Sequence, residues 1–89
     1  MAKEQEKYIF VFSSNYHGYY AEDLLARNNI KNSFRKAPRA IGKSCQAAIY
    51  INEQDFEKVK EIIVNSRVST IGIYEIVKKD KVDSYQKIF

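Results

Sequence analysis

Tyr8-Ile9-Phe10-Val11-Phe12 is an unbroken apolar run of β-branched and aromatic residues, and it is the feature that most limits how this chain can fold. A run without alternation has no side to turn to water, so it reads as a central strand covered on both faces. Ser13, Ser14 and Asn15 follow at once, residue types whose side chains accept hydrogen bonds from the free N–H groups that open a helix. From Tyr16 to about Asn28, Tyr20, Ala21, Leu24 and Leu25 recur at helical spacing, with Glu22, Asp23 and Arg27 turned outward. Asn28-Asn29 makes a helix stop, because asparagine tolerates the left-handed conformation.

The rest of the chain alternates in the same way. A short strand is expected near Ser33–Lys36, and Pro38 and Gly42 make residues 37–44 an exposed connection. Strand character returns from Cys45 to Ile51. Asn52 is a candidate cap for a second helix over Glu53 to about Asn65, with Phe56, Val59, Ile62 and Ile63 inward, and a last strand runs from about Thr70 to Val77. The order strand, helix, strand, strand, helix, strand is the split βαβ, ferredoxin-like α+β plan, a four-stranded sheet with both helices on one face. On this reading residues 1–7 are a polar extension, 8–77 the domain and 78–89 a tail. That tail sets Tyr85, Ile88 and Phe89 at helical spacing. The first and third strands are expected side by side and parallel.

Strand parity assigns Phe10, Phe12, Ala47, Ile49 and Ile51 to the helix side. In the last strand Glu75 is taken as an outward marker, which turns Ile73 out with it and Gly72, Tyr74 and Ile76 in. The outer face then carries Ile9, Val11, Ala48, Tyr50 and Ile73, too apolar for open water. A second copy of the chain is the expected cover, giving a homodimer, with the folded-back tail as the alternative. A chain of 89 residues buries only roughly 60–65% of the surface its unfolded form exposes, which makes such help valuable.

Charge and sulfur narrow the function. Between Leu24 and Asn52 there is no acidic residue, yet Arg27, Lys31, Arg35, Lys36, Arg39 and Lys43 all fall there. Those six of fifteen bases leave nine elsewhere against eleven acids, so the basic segment, residues 27–43, stands apart as a place to hold an anionic partner such as nucleic acid. The single cysteine, Cys45, excludes an intrachain disulfide, and with one histidine it leaves no four-ligand zinc set. No cofactor is called for by any motif. No apolar run approaches the roughly 20 residues that cross a bilayer, and Met1–Lys7 lacks the apolar stretch of a signal peptide, so a reducing cytoplasm is the expected compartment.

Ala37-Pro38-Arg39-Ala40-Ile41-Gly42-Lys43-Ser44-Cys45 gathers the chemistry. Cations near a thiol lower its pKa from about 8.5 toward neutrality, whereas apolar burial raises it. Arg39 and Lys43 are close in sequence, and Gly42 lets backbone N–H groups turn inward as an anion nest. Two roles stay open for Cys45, a reactive thiol or a small buried hydrophobe like its parity mates Ala47 and Ile49. His17 is expected to stay roughly 20 Å from it, at the far end of about six residues of parallel strand. Tyr50 is the one aromatic of the third strand, a thin signal for an RNA platform.

The strand end Phe12-Ser13-Ser14, the helix segment Ala21-Glu22-Asp23-Leu24-Leu25, then Pro38-Arg39 and Ser44-Cys45, resemble the selenium/sulfur carrier protein-like family of small bacterial domains over residues 8–77. Gln46 follows Cys45 where members typically carry glycine. The resemblance implies a carrier rather than a turnover enzyme, with Cys45 bearing a persulfide or selenide and Pro38, Arg39, Lys43 and Ser44 shaping its binding site. It also implies a protein that donates the sulfur or selenium.

Overall fold

In the computed structural model, which describes residues 6–41, 47–80 and 82–88, the chain runs β1 (Glu6–Phe12), α1 (Asn15–Arg27), β2 (Ser33–Lys36), β3 (Ala47–Asn52), a 3-10 turn (Glu53–Asp55), α2 (Phe56–Ser66), β4 (Thr70–Lys79) and β5 (Val82–Lys87). The fold is α+β, and the sheet has five strands in the order β2-β3-β1-β4-β5, one more than the four expected. Every neighbouring pair is antiparallel, β1 with β3 included. The expected parallel pairing of those two strands is therefore wrong. The reason is directional: α1 carries the chain back so that β2 points as β1 does, and the next connection reverses it into β3.

Local signals explain the helix ends. Ser14 caps α1, its hydroxyl accepting from the His17 N–H, and Asn28 closes it with Asn29 left-handed at φ 59°. The Asn28 side chain donates to the Leu24 carbonyl at 2.8 Å. Tyr20, expected inward, is exposed; Gly18, Ala21 and Leu25 make the buried stripe. Asn52 leads into the 3-10 turn rather than capping α2, which begins at Phe56 and ends at a left-handed Arg67.

Both helices cover one face. Phe10, Phe12, Ile49, Ile51 and Ile73 pack there against Ala21, Leu25, Val59 and Ile63. The parity expected for β1 and β3 holds, but that of β4 is reversed. Ile73 lies opposite Phe10 on the helix side, while Tyr74 lies opposite Ile9 on the other. Glu75 misled the assignment: it lies within β4 opposite Tyr8, with the parity of Ile73, yet stays part-exposed with its carboxylate 3.5 Å from Lys7 Nζ.

Ile9, Val11, Ala48 and Tyr50 form a second cluster on the outer face, from which Ile73 is absent. All four are buried within one chain, covered by Ala37, Ile41, Tyr74, Ile76 and Tyr85. The tail contributes to this cover as a strand, not a helix. Residues 82–87 pair along β4 after a turn in which Asp80 is left-handed, so Tyr85 falls on the outer side and Ile88 reaches the helix-side core.

Candidate functional site

The segment that leaves β2 crosses the outer face before it reaches the expected site. Its start is held by Tyr50, whose hydroxyl donates to the Lys36 carbonyl at 3.0 Å. Ala37 then packs on the outer cluster, the Ile41 N–H donates to the Pro38 carbonyl at 3.0 Å, and Ile41 folds back onto the same cluster. Arg39 and Ala40 stand exposed at the tip of this turn. Of the five expected site residues, Pro38 and Arg39 are thus placed; Lys43, Ser44 and Cys45 lie outside the described residues.

Arg35 braces the strap from below. Its guanidinium lies 3.9 Å from the centre of the Tyr50 ring and donates to both oxygens of Glu6, at 2.6 and 3.4 Å. Glu6 reaches it because the β1–β3 register shifts between Glu6 and Tyr8, and the extra residue turns Glu6 to the outer side. Hydrogen bonding to Glu6 holds the Arg35 charge more firmly still, raising its pKa. Burial pushes the Tyr50 phenol up, against a smaller opposing pull from Arg35. Neither Glu6 nor this pairing was foreseen. The one sequence signal was a tyrosine on an otherwise aliphatic face, whose hydroxyl needs a partner once buried.

These contacts break up the basic segment. Arg27 pairs with Asp23 at 3.0 Å and Arg35 with Glu6. Arg35 lies opposite Ala48 and so projects to the outer side, whereas Lys36 lies opposite Ala47 and projects to the helix side. Lys36 and Arg39 are exposed, and neither pairs with an acidic side chain among the described residues. Tyr50, the aromatic of the third strand, is only 8% exposed.

The start of β3 is tightly seated. A Cβ built on Gly18 would come within 2.8 Å of the Ala47 Cβ and 2.7 Å of the Phe34 ring, so only glycine lets β3 and Phe34 approach α1 this closely. Val11 at the end of β1 pairs with Ala48. The beginning of β3 and the first turn of α1 therefore share one end of the sheet. The roughly 20 Å expected between His17 and the start of the third strand rested on parallel pairing and does not survive it. His17 itself ties two loops together: its Nδ1 accepts from the Ser69 N–H at 3.3 Å, while the Ser69 carbonyl accepts from the Ser13 N–H at 3.2 Å. In the neutral ring that contact leaves the proton on Nε2.

A groove of about 410 Å³ opens between Pro38 and Tyr85, floored by Arg35 and Tyr50. No group of three or more metal-ligating side chains occurs among the described residues, and no helix there is long and apolar enough to cross a membrane.

This small α+β domain, with a strapped outer face and a lone cysteine just before a central strand, has a match among protein families. Residues 7–75 match the family described as Putative Se/S carrier protein-like, and the chain belongs to it. No curated protein and no solved structure matches the chain.

Proposed function

We propose that this protein carries sulfur or selenium as a covalent adduct on Cys45. The observation that carries the reading is the family match, which spans most of the chain and includes its only thiol. Carriage on a side chain needs a nucleophile that can form and release a bond to a chalcogen, and a thiolate does both. Cys45 precedes Ala47, the first residue of β3, by two positions in the sequence. Arg39 and Lys43 would supply positive charge that favours the thiolate and the persulfide anion, with Pro38 and Ser44 as further binding residues.

Loading needs no external oxidant. The Cys45 thiolate attacks the outer sulfur of a persulfide on the donor; an S–S bond forms as the donor's own S–S bond breaks, and the donor leaves as a thiolate. Delivery to an acceptor thiol is the same exchange in reverse, and selenium bound as a thiol-linked selenide follows it too. Delivery releases Cys45 as the free thiolate, ready for the next load.

Incubation of the full chain with glutathione persulfide is expected to add one sulfur atom to the intact mass. The adduct should vanish with dithiothreitol and never appear on Cys45→Ser. An unmodified wild-type mass would sink the carrier reading. A second reading follows from Lys36 and Arg39, both exposed in the basic segment 27–43: a binding module for an anionic partner such as nucleic acid. It requires binding that weakens steeply with salt, with a shallower slope on replacing Lys36 or Arg39.

A further inference from the structure

The two edges of the sheet are unequally protected. β2 is four residues long, carries adjacent Arg35 and Lys36, and is followed closely by Pro38, all features that discourage pairing with another strand. β5 is six residues long, has no proline, and is exposed except at Tyr85; Val82 alone is 65% exposed. It also lies beyond residues 7–75, the stretch that matches the family.

The backbone of β5 shows which groups are on offer. The Ile88 N–H donates to the Ile73 carbonyl of β4 at 2.9 Å. Hydrogen-bonding direction alternates along a strand, so Val82, Ser84 and Gln86 also point their backbone groups at β4, while those of Asp83, Tyr85 and Lys87 point away from the sheet.

We infer that β5 is a self-association edge, pairing antiparallel with β5 of a second copy about a two-fold axis through Tyr85. A two-fold pairing of identical strands must be centred on one residue, because residue i facing j requires j to face i. Centred on Ser84, the strands set Asp83 against Tyr85; centred on Gln86, they set Lys87 against Tyr85. Only the register centred on Tyr85 places Asp83 opposite Lys87 of the other copy, twice over, with the two tyrosines between them. That register also joins the outward backbone groups of Asp83, Tyr85 and Lys87 into one ladder and brings exposed Val82 opposite Ile88. On the outer side Asp83 already faces Lys78 of β4, and Tyr85 faces Ile76. The second copy would set Asp83 between two ammonium groups and extend the outer apolar surface through a tyrosine pair. The inference is independent of any chemistry at Cys45.

Sedimentation of the full chain over about 10 µM to 1 mM should show the 10.4 kDa mass rising toward twice that value. Lys87→Asp sets like charges opposite each other at both ends of the ladder, and Asp83→Lys does the same with the opposite sign. Each should raise the dimer dissociation constant roughly tenfold or more, while an equimolar mixture of the two should recover it as a heterodimer. Lys87→Pro removes an outward N–H without touching the β4 ladder and should abolish pairing. Asp83→Lys also meets Lys78 within the chain, so amide exchange of the wild type gives a check free of that strain. The amides of Asp83, Tyr85 and Lys87 should gain protection as concentration rises. A mass fixed at 10.4 kDa throughout the range, or undiminished association of Lys87→Asp or Lys87→Pro, would overturn the inference.

Discussion

The two faces of the sheet are buried by different means. On one side, α1 and α2 lay continuous apolar stripes across Phe10, Phe12, Ile49, Ile51 and Ile73. On the other, four residues, Ile9, Val11, Ala48 and Tyr50, are sealed by side chains of the sheet and by a short strap through Ala37 and Ile41. The first arrangement spreads burial over two rigid elements. The second concentrates it in a connection anchored by one turn, one hydroxyl and a few apolar contacts, and that connection is what leads to Cys45. The helix side thus rests on two long elements, and the outer side on one short connection.

The sharpest way to break this contrast is a matched pair of truncations. Phe10→Ala, in the fully buried helix-side core, should cost about 3–5 kcal/mol in urea unfolding. Ile41→Ala, in the half-buried strap, should cost only about 1 kcal/mol, since part of that side chain is already solvated. It should, however, speed amide exchange at Ile41, whose N–H closes the strap turn. Equal losses from the two variants would show that the strap is part of the main core.

Tyr50→Phe refines the outer side with a smaller effect. Losing the bond to the Lys36 carbonyl should cost about 1 kcal/mol near neutral pH. Its pH dependence has a definite sign. Burial raises the phenol's pKa in the folded protein, so its contribution is complete below the unfolded value of about 10 and is lost as pH rises through the higher folded value. Wild type should therefore lose stability above about pH 10 more steeply than Tyr50→Phe. Tyr8, also raised chiefly by burial, remains in both proteins and cancels in the comparison. Parallel alkaline profiles would show that Tyr50 has no special environment.

What could be read from the residues alone follows the same division. The helix side was readable because its signals are periodic: the apolar run of β1, the Ser14 cap, the Asn28-Asn29 stop and the inward Val59 and Ile63 all appear where the pattern puts them. The outer side was not, because its devices are singular. A register shift turns Glu6 toward Arg35, and no periodicity announces an inserted residue. Glu75 was taken for an outward marker, yet it lies within β4 on the helix side and stays part-exposed beside Lys7, and that reversed β4. The tail's Tyr85 and Ile88, three apart, fit a helix as spacing, but β4 offered an open edge and took residues 82–87 as a strand. Of the candidate site, Pro38 and Arg39 are placed in the turn after β2, whereas the placement of β3 beside α1 required the direction of each crossing to be counted correctly.

As proposed, Cys45 is a reactive thiolate kept ionised by its basic neighbours, and the pH dependence of its alkylation is the decisive test. The rate of iodoacetamide modification in the folded chain should rise with a midpoint clearly below the roughly 8.5 of a free thiol and move up when Arg39→Ala or Lys43→Ala removes a cation. A midpoint at or above that value, unmoved by either substitution, would contradict the account.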